Sequence, residues 1–174
     1  MVRRSYAKKV ALVGIMAATL ECAKLALSAL PNIELVTLLT ALYSYAFGFA
    51  GVAAAFVFVA IEPLIYGFGS WVICYFIYWP LLAFLFVFLG RLRVKNRFAL
   101  CGAALIMTVV FGLLSSLVDV GVFSGSYDNF FYRFGIYYLR GIPFYVAQLL
   151  CNLALFLSAF PFLAKKLTEL NARL

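Results

Sequence analysis

Long apolar stretches are the feature that most limits what this chain can fold into. About 20 apolar residues in a helix match the thickness of the hydrocarbon core of a bilayer. Apolar residues make up 67% of the chain and charged residues 11%, against about 45–50% and about 25% in soluble domains. The sequence therefore predicts a membrane protein and excludes a soluble or disordered chain. The apolar stretches cover residues 10–30, 35–67, 70–90, 98–118 and 142–164.

The distribution of cations indicates how often the chain crosses the membrane. The stretch 35–67 is long for one helix, and a turn at Gly48 and Gly51 would divide it in two. With that division, the cations of residues 91–97 face the same side as the basic N-terminus and the basic residues 165–173. Cytoplasmic loops carry the excess of Lys and Arg. We therefore expect an all-α, multi-pass plasma-membrane protein with both termini in the cytoplasm. A single domain over residues 1–174 would contain six transmembrane helices, at 10–30, 35–48, 51–67, 70–90, 98–118 and 142–164.

The net charge of +8 follows the same pattern. Topology and contact with anionic lipid headgroups account for it, so nucleic acid is not an expected partner. The basic N-terminus followed by an apolar run resembles a secretory signal, but Glu21 and Lys24 interrupt the run where a cleavable signal stays apolar. We expect a retained first helix.

Several kinds of catalytic chemistry have no matching residues. Histidine is absent, which excludes Ser–His triads and His-containing metal sites. No Walker motif and no HExxH sequence are present. The four cysteines lie in apolar runs without a CxxC pair and are interpreted as small buried apolar residues. We expect no enzyme activity, no metal and no bound cofactor.

The longest outer connection, residues 119–141, is unusually aromatic. A solvated loop is normally polar, so this one is expected to pack on something. Two interpretations stay open: an aromatic belt at the lipid interface, or a lid over an outward-facing pocket. Its aromatic residues are Phe123, Tyr127, Phe130, Phe131, Tyr132, Phe134, Tyr137 and Tyr138.

Trp71, Tyr75, Tyr78 and Trp79 share one face in the outer half of the fourth predicted helix. Such a stripe is either packing or a surface on which a ring-shaped ligand stacks.

Polar residues inside a membrane usually face the bundle interior or a cavity. Glu21 and Lys24 are spaced to form an ion pair on the first helix. Glu62, with Tyr66 one turn later, is a candidate ligand contact. The amides of Gln148 and Asn152 either join neighbouring helices or orient a polar ligand.

A stripe of small residues runs along the first helix: Ala7, Ala11, Gly14 and Ala18. Small residues let helices approach closely in a membrane. The stripe serves packing within the bundle or docking to another membrane subunit.

Three segments carry a resemblance to a known family. They are the small-residue helix around Gly14 and Ala18, the segment Leu30-Pro31-Asn32-Ile33-Glu34, and the segment from Glu62-Pro63 to Trp71, followed by Tyr78-Trp79-Pro80. With the six-helix pattern, they make the chain similar to the substrate-binding S component of an energy-coupling factor (ECF) transporter.

The resemblance implies a high-affinity binding subunit for a vitamin or related micronutrient. It also implies two kinds of partner: a transmembrane coupling subunit, which the small-residue stripe would contact, and two ATPase subunits, which alone would use ATP. The candidate ligand contacts are Asn32, Glu34, Glu62, Tyr66, Trp71, Tyr75, Tyr78, Trp79, Phe131, Tyr132, Gln148 and Asn152. Arg133 and Arg140 are further candidates for orienting polar groups.

Cobalamin is the favoured ligand, because the loop segments resemble members assigned to it and its bulk suits a wide aromatic cavity. Other vitamins stay open. The main alternative function is a stand-alone facilitator or channel for a small solute. A structural protein without a ligand and an enzyme of lipid chemistry are weaker alternatives.

Overall fold

The computed structural model describes residues 2–124 and 128–173, with side chains from residue 6 onward. These residues confirm the predicted all-helical class. Tyr127, one of the aromatic residues of the predicted lid, lies outside them. The helices are α1 (Val2–Ala26), α2 (Val36–Phe47), α3 (Phe49–Tyr66), α4 (Ser70–Arg91), α5 (Arg97–Val118), which continues as a π-helical turn (Asp119–Phe123), and α6 (Phe130–Asn171).

Four of these helices are long and apolar enough to cross a membrane: α3, α4, α5 with its π-helical turn, and α6. The helix α2 has 12 residues and is therefore about 18 Å long, less than the about 30 Å of a hydrocarbon core. The helix α6 has 42 residues and a length of about 63 Å, so it extends well beyond any core that it crosses.

The core is built around α2, which packs against α4, α6 and α3. Most of its side chains are buried. The rings of Phe86, Phe156 and Phe160 fill the space between α4 and α6, with centroids 4.9–5.7 Å apart. In contrast, α1 packs mainly on α3 and α2, at the edge of the bundle.

The predicted turn between α2 and α3 is confirmed at Gly48, which has a φ of +63°. This left-handed conformation costs glycine little because it has no Cβ. At Gly51 a Cβ would lie 2.4 Å from the backbone nitrogen of Ser44. Both glycines are therefore needed for the tight reversal that divides the apolar stretch 35–67.

The connections lie at two opposite ends of the bundle. At one end the Tyr45 hydroxyl donates to the carbonyl of Val94 at 2.9 Å, and Asn171 Nδ2 donates to the carbonyl of Ala46 at 2.8 Å. This end contains the cations of residues 91–97, and we call it the cationic end. The other end contains residues 27–35, 67–69 and 119–124, and we call it the cavity end.

The last helix differs from the prediction. It begins at Phe130, not at residue 142, and residues 119–123 are helical too. Most of the predicted loop is therefore helix. The rings of Phe130, Phe134 and Tyr138 lie four residues apart and stack at 6.3 Å, so the aromatic residues support the helix.

Two further predictions need correction. The first helix ends at Ala26, and residues 27–32 form turns. Cys22 is exposed rather than buried, while Cys74 and Cys101 are buried and Cys151 is partly buried. Cys22 lies on the outward side of α1, since that helix packs at the edge of the bundle.

Candidate functional site

Two cavities lie at the cavity end. The small cavity has a volume of about 200 Å³ and is walled by the end of α1, the connection to α2, and parts of α4, α5 and α6. The large cavity has a volume of about 700 Å³ and lies between residues 68–70, the end of α5 and the start of α6. The polar and aromatic residues of the small cavity are Lys24, Ser28, Asn32, Glu34, Tyr75, Trp79, Phe111 and Gln148.

The rim of the small cavity is built by the connection before α2. Asn32 has a left-handed backbone with a φ of +57°, a conformation that Asn tolerates better than most residues. Glu34 accepts a hydrogen bond from the Thr37 backbone N–H at 2.8 Å and another from the Thr37 hydroxyl. The carboxylate thus satisfies a free N–H at the start of α2. Both residues were predicted as ligand contacts, and both line this cavity.

Gln148 links α6 to this rim. Its Nε2 lies 3.4 Å from Glu34 Oε1, and its side chain is 4% exposed. Its Oε1 has no hydrogen-bond partner. An amide oxygen at the cavity wall is therefore free to accept a hydrogen bond.

The aromatic stripe of α4 is present, but it divides between two roles. Tyr75 and Trp79 line the small cavity, with ring centroids 5.8 Å apart. Tyr78 is fully buried and packs on Phe111 at 4.9 Å. Trp71 stacks edge-on to Tyr75 at 5.1 Å and does not line the small cavity. The stripe therefore supplies both packing and cavity wall.

The predicted ion pair between Glu21 and Lys24 is wrong. Lys24 instead donates to the carboxylate of Glu62 on α3. Its ammonium also lies 4.5 Å from the ring centroid of Tyr66 and 4.9 Å from that of Tyr75. Glu62 is completely buried, and an ionised carboxylate without a partner would be costly there.

Glu21 lies beside this pair on the same helix as Lys24. It interacts electrostatically with Glu62 and Lys24, and neither of its carboxylate oxygens has a hydrogen-bond partner. Glu62 and Tyr66, both predicted as ligand contacts, thus surround Lys24 and are not among the residues that line the small cavity.

Three other predicted contacts lie elsewhere. Asn152 is fully buried, and its Nδ2 donates to the Thr108 hydroxyl at 3.0 Å. Phe131 and Tyr132 are 86% and 72% exposed. They project from the first turn of α6 because this segment is helix and not a folded-over loop.

Sequence reasoning missed three of the polar and aromatic residues of the small cavity: Lys24, Ser28 and Phe111. Lys24 was interpreted only as half of an ion pair, and Phe111 was not singled out. Phe111 is one of many apolar residues in α5, so no local signal distinguishes it. Lys24 is a lone cation inside an apolar run. Such a residue usually faces the bundle interior or a cavity, so its position could have identified it as a cavity residue.

The large cavity contains the charged side chains of Asp119 and Arg133 beside Phe68, Phe123 and Tyr137. Arg133 was a candidate for orienting polar groups, and its NH2 lies 3.4 Å from the carbonyl of Ser124. Arg140 is exposed on α6 and is not among the residues lining either cavity.

The small-residue stripe of α1 faces outward. Ala7, Ala11, Gly14 and Ala18 are all exposed, and a Cβ at Gly14 would meet nothing within 4 Å. The stripe therefore does not serve packing within this bundle.

Among residues 2–124 and 128–173, no group of three or more Cys, Asp or Glu side chains is arranged to hold a metal ion.

Comparison of the chain with protein-family models finds no match, and comparison with the curated proteins and with the solved structures finds none either.

Proposed function

We propose that this protein is a membrane-embedded binding subunit that captures a vitamin-like micronutrient for uptake. The observation that carries the proposal is the small cavity, which combines aromatic walls with partly free polar groups at one end of an apolar bundle. Such a combination is typical of small-molecule sites.

The charge distribution supports an orientation for this bundle. Four cations lie within residues 91–97, where α4 ends and α5 begins, and Lys165, Lys166 and Arg173 lie near the end of α6. If the cationic end faces the cytoplasm, the cavities open outward. In this proposal all six helices belong to the membrane domain, both termini are cytoplasmic, and the protein lies in the plasma membrane.

Transport against a gradient requires an energy source, and the chain carries no Walker motif. We therefore propose that it works with a transmembrane coupling subunit and two ATPase subunits. The outward stripe of α1 supports such a docking, because small residues on a lipid-facing helix allow a second helix to approach closely.

The size of the cavity bears on the choice of ligand. Cobalamin is favoured by the sequence resemblance but is far larger than a cavity of about 200 Å³. Its binding would require the cavity end to open. A smaller ring-shaped vitamin or precursor needs no such change, and we favour it.

The decisive experiment is mass spectrometry of small molecules that co-purify with the protein in mild detergent. We expect one micronutrient to co-purify at about one equivalent per protein molecule. The same compound, added in excess, should displace it from the wild-type protein. A purified protein with no bound organic molecule and no saturable binding of any B-type vitamin would refute the proposal. Flux through vesicles that contain only this protein and no ATPase would instead support a facilitator.

A further inference from the structure

Two buried polar groups on the wall of the small cavity have no partner within the protein. They are Nε1 of the Trp79 indole and Oε1 of the Gln148 amide. Both side chains are 4% exposed. Buried polar groups are normally satisfied, so two free groups at one cavity indicate a ligand that completes them.

The chemistry of the two groups is complementary. An indole N–H can only donate a hydrogen bond. The Gln148 amide is oriented by its Nε2, which points to the Glu34 carboxylate at 3.4 Å, so Oε1 is left to accept. The cavity wall therefore presents one donor and one acceptor, and a matching ligand carries one acceptor and one donor.

The charged groups of the cavity are already engaged. Lys24 is paired with Glu62, and Glu34 accepts hydrogen bonds from the Thr37 backbone and hydroxyl. A charged ligand would have to break one of these contacts. An uncharged ligand leaves both intact.

The walls and the volume limit the shape of the ligand. The Tyr75 and Phe111 rings, with centroids 6.3 Å apart, form an aromatic wall on which a flat ring packs well. The volume of about 200 Å³ lies below the about 300 Å³ at which sites for drug-sized ligands begin. It suits a single ring or a fused pair of rings.

From these observations we infer that the small cavity binds a flat, uncharged nitrogen heterocycle with a cyclic amide edge, in which an N–H lies beside a C=O. The carbonyl accepts from Trp79 Nε1, and the N–H donates to Gln148 Oε1. This inference rests on the proposed function, because it names the ligand class of the same site.

The test uses three probes on the intact protein in lipid nanodiscs, measured by equilibrium dialysis. The probes are 4-quinazolinone, which has the amide edge, its N3-methyl derivative, which lacks the donor, and naphthalene, which lacks both groups. We expect saturable binding of 4-quinazolinone and at least about tenfold weaker binding of the methylated probe, because the acceptor at Gln148 is then left unpaired. Equal binding of 4-quinazolinone and its N3-methyl derivative to the wild-type protein would by itself overturn the inference.

Two substitutions then assign the contacts. Gln148→Leu and Trp79→Phe should each weaken 4-quinazolinone at least about tenfold, because each removes a hydrogen bond to the amide edge. Each also alters the wall, Trp79→Phe through a smaller ring and Gln148→Leu through loss of the contact with Glu34. Naphthalene measures that second effect alone, and its binding should change less than about threefold. Asn171→Leu is the matched control, because it removes an amide at the cationic end. A parallel loss of both probes would show that the residues shape the cavity rather than bind the amide edge.

Failure of this inference is distinguishable from failure of the proposed function. A co-purifying micronutrient without a cyclic amide edge would contradict the ligand class and leave the uptake function standing. If the protein discriminates between the probes but no ATP-dependent uptake is found, the ligand class stands and the uptake function is contradicted.

Discussion

At the residue scale, the cavity end is organised around Lys24. Its ammonium contacts Glu62 and the rings of Tyr66 and Tyr75. Removing one partner of a buried ion pair leaves the other charge uncompensated, which costs more than never having the pair. Glu21, with no hydrogen-bond partner of its own, adds a second carboxylate to the same place. The stability of this end therefore depends on one cation.

We accordingly predict that Lys24→Met lowers the free energy of unfolding by about 3 kcal/mol or more. The physical reason is the unpaired Glu62 carboxylate, which is completely buried. The double variant Lys24→Met/Glu62→Gln should recover most of the loss, because it removes both charges. Thermal unfolding in detergent measures both effects. Lys166→Met, at an exposed position, is the control, and an equal loss there would argue against the ion pair.

At the element scale, small residues occupy two different surroundings, a close approach between helices and an exposed helix face. The α2–α3 turn brings Gly51 against the backbone of Tyr43 and Ser44. The stripe of α1 leaves a smooth outer surface around Gly14. These two glycines therefore have opposite roles, one inside the bundle and one on its outside.

Gly51→Ala is expected to destabilise the bundle by about 1–3 kcal/mol, the usual cost of forcing an extra group into a packed site. Its Cβ would lie 2.4 Å from Ser44 N, and the backbone of a tight turn has little freedom to move. Gly102→Ala is the matched control, since nothing lies within 4 Å of its Cβ. Unfolding midpoints of the two variants provide the comparison. Equal midpoints would contradict the close approach.

A different outcome is expected for Gly14→Leu. The added side chain projects outward and should leave ligand binding unchanged, while ATP-dependent uptake falls at least about tenfold because a close helix contact is blocked. Gly102→Leu, on α5, controls for a bulky residue at another open glycine. Binding and uptake are measured with the same labelled ligand. If Gly14→Leu lowers binding as much as uptake, α1 is not the docking helix.

At the scale of the whole molecule, the two ends of the bundle differ in chemistry. At the cationic end, hydrogen bonds join the last turn of α2 to the α4–α5 connection and to the end of α6, through Tyr45 with Val94 and Asn171 with Ala46. Both cavities described above lie at the other end. Because both cavities lie at one end of the bundle, the proposed ligand would be captured from one side of the membrane only.

The orientation is testable with single cysteines placed in a variant without the four native ones. Phe68→Cys, at the cavity end, should react with a membrane-impermeant maleimide in intact cells. Lys95→Cys, at the cationic end, should react only after the membrane is permeabilised. Both side chains are exposed, so access and not burial decides the result. The reverse pattern would invert the proposed topology.

The helical content, the presence of helices long and apolar enough to cross a membrane, and the division of residues 35–67 could all be predicted from the sequence. Each depends on a local property: the length of an apolar run, the spacing of cations, or a glycine at a turn. Tyr75, Trp79 and Gln148 were also predicted to belong to the site, because a polar or aromatic residue in an apolar run is visible without a structure. Asn32 and Glu34 were predicted from the short polar connection between two apolar runs.

The tertiary structure decided which of these residues meet. Lys24 pairs with a carboxylate 38 residues away and not with the one that is three residues away, and Gln148 reaches Glu34 across 114 residues. Local spacing describes only one face of one helix, whereas these contacts depend on how α1, α3 and α6 are packed. The helical start of α6 was missed for a different reason: the four-residue spacing of Phe130, Phe134 and Tyr138 is visible in the sequence, but the segment was interpreted as a loop.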